Sequence, residues 1–279
     1  MTGSAYDVAI VGMSCRMPGA ADPDSFWRLL RDGRDAIGSV RSGRGDITER
    51  AGFLDTVGDF DADFFGVSPN EARAVDPQQL LALELAWEAL EDAGLTGTAG
   101  ATRRHGVFLG CTGTDFAEIL ASRGGLGVSR HSLWGVGRGI IANRISNHFG
   151  FGGPSLVVDS AQASSLVAVH LACESLRSGE SDLALAGGLN LILSATSGAR
   201  IEQFGARSER GRCATFDADA DGFVRGEGGG IVVLKPLARA IADGDRIHAV
   251  IRGTGVTMGN ERRVLSAPSQ DAQAAAIRA

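Results

Sequence analysis

The sequence has 279 residues, 44% hydrophobic and 22% charged, enough for one large domain or two smaller ones with a full core. Its net charge of −6 and the lack of a Lys/Arg-rich run argue against nucleic acid as the main partner, and the short basic clusters at Arg103–His105 and Glu261–Arg263 read as surface turns. The greasiest stretch, "LALAGGLNLILSA" from Leu183, is too short and glycine-broken to span a membrane, and the N-terminus lacks a basic signal-type region. Four scattered cysteines (Cys15, Cys111, Cys173, Cys213) form no C-x-x-C pair. These features predict a cytoplasmic protein with reduced thiols, no resident metal and no membrane partner.

In chain order, "YDVAIVGM" is a nearly continuous apolar run ending in Gly12. It reads as a strand buried on both faces, hence of parallel type. "DPDSFWRLLRDG" predicts a helix with Asp22 or Asp24 as N-cap and Gly33 as its stop. Ser39 to Thr56 is polar and glycine-rich, so a loop. "DPQQLLALELAWEALEDAGL" is the clearest helix, with Leu80, Leu81, Leu83, Ala86, Trp87 and Leu90 on its apolar face and Gly94 closing it. Strand "HGVFLGC", helix "VGRGIIANRISNHFG", strand "SLVVDS" and a helix over Leu166–Arg177 follow. Two more strands ("DLALAGGLNLIL", "GGGIVVLKPL"), a short helix ("ARAIADG"), a strand at "IHAVIRGTGV" and a terminal helix complete the pattern. Alternating apolar strands and helices predict a layered α/β fold.

Several segments invite a site and fail its spacing. Asp217, Asp219, Asp221 and Gly222 fit the first positions of a calcium loop, but the bidentate place falls on Gly228, with Glu227 one residue early. That segment reads as a turn whose aspartates bond their own backbone. "GVGRG" at Gly135–Gly139 matches a dinucleotide loop only loosely, since it follows no strand. The five histidines show no metal-type pairing, and His170 reads as a core or interface residue. What remains is the strand-to-helix corner "DSAQASS", where Ser160, Ala161, Ala163 and Ser164 are small and Gln162 sits at the tip. A helix N-terminus gathers free N–H groups and positive potential there, which suits a nucleophile or an oxyanion. Glutamine is no nucleophile, so on the residues alone it is either a helix cap or a donor in a site.

From Tyr6 to its end the chain resembles the ketosynthase domain of modular type I polyketide synthases. The matching segments are "VAIVGMSCRMPGA", "FDADFFGVSPNEARAVDPQQLLALELAWEALEDAGL", "GVFLGCTGTDF", "SLVAVHLACESLRSGESDLALAGGLN" and "FDADADGFVRGEGGGIVVLKPL". The resemblance implies a thiolase-like layered αβαβα fold, with residues 1–245 as the N-terminal half and 246–279 as the truncated start of the second. Ordinary members hold an acyl-accepting cysteine at the position of Gln162. Glutamine there is similar to the loading-module subclass, which decarboxylates malonyl or methylmalonyl carried on the phosphopantetheine of acyl carrier protein. The family's two later catalytic histidines have no counterpart, so a homodimer or a partner chain supplying the missing half is expected. The N-terminal methionine close before the first motif suits a first domain. Two alternatives stand beside this: a non-catalytic chain-length-factor-like partner of an active ketosynthase, and a condensing 3-oxoacyl synthase using Cys111 or Cys173. The resemblance implies no directly bound cofactor.

Overall fold

The structure is a computed structural model and describes residues 7–40, 44–96, 104–124, 128–259 and 267–279. Arg103 and the 261–263 cluster fall outside these residues. A six-stranded mixed sheet runs in the order β5-β4-β6-β7-β1-β8. Its strands are β1 (Val8–Arg16), β4 (His105–Gly110), β5 (Ser155–Val158), β6 (Leu183–Asn190), β7 (Gly228–Pro236) and β8 (Ala249–Ile251). β4 is parallel to both β5 and β6, whereas β7 is antiparallel to β6 and to β1.

Three expectations need correction. β1 is antiparallel to both neighbours, not parallel. Its uniform apolarity comes from layers on both faces of the sheet, and strand direction plays no part in that burial. Gly12 does not end the strand either. A Cβ there would lie 2.4 Å from the Ala89 carbonyl oxygen, so the glycine lets a helix approach the strand's middle. The predicted loop from Ser39 to Thr56 also holds structure: β2 (Ile37–Ser39) pairs antiparallel with β3 (Arg50–Gly52).

The helices form where caps and stops demand them. In α1 (Pro23–Arg31) the Asp22 carboxylate accepts from Ser25 N at 2.7 Å and Ser25 returns the bond. α3 (Pro77–Asp92) starts on Asp76, with Pro77 in the first turn and Gly94 left-handed beyond its end. α6 (Ile140–Phe149) stops at Gly150, also left-handed. α3 and α6 cover one face of the sheet, burying Leu83, Leu85, Ile141 and Ile145 against Leu109, Leu185 and Ile231. α7 (Ser164–Arg177) covers the other face through Ala168, Ala172, Cys173 and Leu176. Shorter helices α2 (Pro69–Ala72), α4 (Asp115–Ser122), α5 (Ser132–Gly135), α8 (Ala195–Gln203), α9 (Leu237–Asp243) and α10 (Gln270–Arg278) fill the connections.

The layers observed are therefore helix, sheet, helix. Leu156 on β5 and Leu166 on α7 remain exposed. His170, on α7, is half-buried with its Nδ1 at 2.7 Å from the Thr254 hydroxyl.

Candidate active site

β4, β5 and β6 all end on the same side of the sheet, and the corner after β5 turns there into α7. The turn is tight because the residues are small. Gly110 at the end of β4 lets α7 come close: a Cβ would lie 2.5 Å from the backbone of Ser164 and Ser165. Gly188 on β6 does the same, with the Ser165 Cβ 2.7 Å from where its own would be. Ala161 takes a left-handed backbone, φ 53°, which is uncommon for a residue with a Cβ and disfavoured by about 1–2 kcal/mol. Ser164 secures the corner by accepting from Ser160 N at 2.9 Å and donating to the Ala161 carbonyl at 2.6 Å.

Gln162 projects from this corner and is exposed. The N-cap of α7 is Ala163, and among the described residues it makes no side-chain cap bond. Gln162 lines a cleft of about 740 Å³. Ala161 and Ser164 also line it, together with Cys111, Asp159, Asn190, Phe223 and Arg225. Of the small residues singled out in the turn, Ser160 and Ala163 shape the backbone around the tip.

The rear wall of the cleft is a buried polar network. Asp115 accepts from the N–H groups of Leu193 and Ser194 and from the Ser197 hydroxyl, at 3.0, 2.9 and 2.8 Å. Arg225 donates to Ser197 at 2.9 Å and pairs with buried Glu49 at 2.8 Å. At the corner, Arg138 donates to Asp159 at 2.5 Å. That bond holds the Asp159 carboxyl below the usual carboxylate range.

Neither alternative thiol matches an elbow nucleophile. Cys111 lines the cleft, but burial pushes its thiol up to about 11, with the Asp76 charge adding to the rise. Its Sγ lies 3.5 Å from Gln78 Oε1. Cys173 is buried in the sheet–α7 core and is likewise raised by burial. A thiol held neutral is a poor nucleophile.

The aspartate turn bonds its own backbone at Asp217, while Asp221 ties it to Ser208 and Arg210. Asp217 accepts from Asp219 N at 2.9 Å, and Asp221 accepts from the Ser208 hydroxyl at 2.7 Å. Glu227 turns away into a buried pair with Arg44. Sequence reasoning missed Asp115, Arg138, Asp159, Asn190 and Arg225. Asp159 had a local signal, three residues before Gln162, but Asp115, Asn190 and Arg225 reach the cleft, and Arg138 reaches Asp159, only through tertiary structure.

Comparison with known proteins agrees with this architecture. Residues 5–240 match the beta-ketoacyl synthase N-terminal domain. The chain is 50% identical over 286 aligned residues to polyketide synthase GfsA of Streptomyces halstedii, covering 98% of this chain and 4% of that protein. It is 45% identical to a phenolphthiocerol/phthiocerol polyketide synthase of Mycobacterium tuberculosis, covering 96% of this chain and 18% of the relative. Among solved structures, the ketosynthase from module 6 of the bacillaene synthase of Bacillus subtilis 168 superposes with TM-score 0.89 at 36% identity. The oxazolomycin ketosynthase domain OzmH KS7 of Streptomyces albus JA3453 gives TM-score 0.90, also at 36%. These cover 98% and 97% of this chain but 47% and 49% of theirs, so the chain spans about half the length of the ketosynthase structures it matches. The fold is thiolase-like, and the chain belongs to the beta-ketoacyl synthase family, matching its N-terminal domain in the form found in modular polyketide synthases.

Proposed function

We propose that the chain serves a ketosynthase-like domain that decarboxylates malonyl or methylmalonyl groups carried on acyl carrier protein, making a starter unit. One observation carries this reading: the tip of the elbow is an exposed glutamine lining the cleft, while the chain's other cleft-lining candidate, the Cys111 thiol, is buried and held neutral.

Loss of carbon dioxide from a malonyl thioester breaks the bond to the carboxylate carbon and leaves an enolate, with charge on the thioester oxygen. Donors aimed at that oxygen lower the barrier, each by about 3–4 kcal/mol. Gln162 brings two N–H donors and no nucleophile. The positive end of α7 lies beside it. A cysteine at the same tip would be acylated and pass chains on; the amide keeps the electrostatic help and removes the covalent step.

Family membership alone fits a condensing synthase equally well, and the glutamine is what favours decarboxylation. In this proposal the substrate rides on the carrier protein's phosphopantetheine, residues 1–245 form the N-terminal half, and residues 246–279 open a second half that completes the site. That second half comes from a longer chain, a homodimer mate or a partner chain, in a cytoplasmic setting. The test is carbon dioxide release from malonyl-acyl carrier protein by the domain joined to a ketosynthase C-terminal half. Release without an acyl-enzyme supports the reading. An acyl group trapped on Cys111 or Cys173 would favour condensation instead.

A further inference from the structure

The Gly135–Gly139 segment, which the sequence offered as a loose dinucleotide loop, is packed against the residues just before α3. A Cβ on Gly135 would lie 2.1 Å from the Ala74 carbonyl oxygen. The segment's carbonyls are already engaged. Gln79 Nε2 donates to Trp134, Gly135 and Gly137 at 2.8, 3.0 and 3.4 Å, and Asp76 N donates to Gly135 at 2.9 Å. Gln79 is itself held, its Oε1 accepting from Arg144 at 3.0 Å, while Arg144 pairs with Glu71 at 2.8 Å. The segment is thus a strap fastened to α3, and it carries Arg138 to the elbow.

Arg138 Nη1 donates to Asp159 at 2.5 Å and lies 3.4 Å from the carbonyl oxygens of Cys111 and of Thr112. The other Asp159 oxygen accepts from Ala161 N at 3.3 Å, at the left-handed residue next to Gln162. One guanidinium therefore ties the end of β4 to the residue that opens the turn. It also neutralises the carboxylate nearest the tip in sequence. An unpaired Asp159 would oppose any negative charge developing at position 162, whether on a thiolate or an enolate.

We propose that Arg138 is the positioning residue of the elbow, fixing through Asp159 and the β4 carbonyls the place and charge environment of the side chain at position 162. The proposal goes beyond the decarboxylation reading and does not depend on it, because it concerns the elbow whatever chemistry follows.

The test puts a reporter at the tip. In the full chain, Gln162→Cys is combined with Cys213→Ser, which removes the exposed native thiol. Iodoacetamide alkylation of the thiol introduced at position 162 is followed across a range of pH, while continued protection of buried Cys15 and Cys173 reports an intact fold. Arg138→Ala should raise the reporter's pKa and slow alkylation at neutral pH about fivefold. Arg138→Lys, which keeps the charge, should lie within about twofold of the parent. Asp159→Asn with Arg138 retained should speed alkylation about threefold, a reading that stands even if the Ala variant loses its fold. Equal rates in the parent and the Arg138→Ala chain at every pH would overturn the proposal. So would a slowing that Arg138→Lys does not repair, or an Asp159→Asn chain that reacts no faster than the parent.

Discussion

Arg44 and Glu227, 183 residues apart, meet in a two-pronged ion pair at 2.7 and 3.0 Å beside the cleft. The Glu227 side chain is 0% exposed and also accepts from Leu54 N and Ile192 N, each at 2.9 Å. One carboxylate thus joins the segment after β3, the segment after β6 and the start of β7. Truncating it strands a guanidinium and two buried N–H groups. Glu227→Ala should cost about 3–5 kcal/mol in urea unfolding, and adding Arg44→Met should recover part of that loss. A cost under about 1 kcal/mol would show that the pair contributes little.

The close approach of α7 to the sheet gives a sharper packing test. Gly110→Ala places a Cβ 2.5 Å from the backbone of Ser164 and Ser165, where no side chain can yield. A loss of about 1–3 kcal/mol is expected, from displacement of the helix start. Gly38→Ala is the control: it has open space around it and no left-handed backbone, so its urea midpoint should scarcely move.

Much of this was legible in the sequence, for identifiable reasons. The elbow was readable because its small residues and its tip are contiguous, from Ser160 to Ser164. α1 was readable because its Asp cap and glycine stop are local, and α3 because its apolar residues recur at helical period before Gly94. The direction of β1 was not, since burial on both faces follows from helix layers and not from strand pairing. The β2–β3 pair was hidden because each strand is three residues long in a polar stretch. Arg44, Arg138 and Arg225 carried no local signal at all, because their partners lie 183, 21 and 176 residues away.

Glu84 supplies a pH dependence. Burial pushes its carboxyl up to about 7, nearby Glu88, Asp59 and Asp61 push the same way, and Arg16 opposes them. The folded chain therefore holds this proton where the unfolded chain has released it. Its contribution to stability is present at low pH and is lost as pH rises from the unfolded value of 4.5 through about 7. Glu84→Gln should stabilise the chain by about 1–2 kcal/mol in mildly alkaline buffer and by much less in acid. Equal gains in both would contradict the assignment.

The thiols give a direct check on burial. Cys15, Cys111 and Cys173 are buried and Cys213 is exposed. In the folded chain a neutral alkylating reagent should modify Cys213 quickly and leave the other three, as mass spectrometry of the peptides would show. Rapid labelling of Cys111 would contradict its neutral, buried state and revive it as a nucleophile.

Under the proposed function, the amide at the elbow stabilises charge in place of a nucleophile. Its most direct test is carbon dioxide release from malonyl-acyl carrier protein by the domain joined to a ketosynthase C-terminal half, comparing Gln162 with Gln162→Ala. The account predicts a rate lower by about a hundredfold in the variant, with circular dichroism unchanged. An equal rate in the two proteins would contradict it.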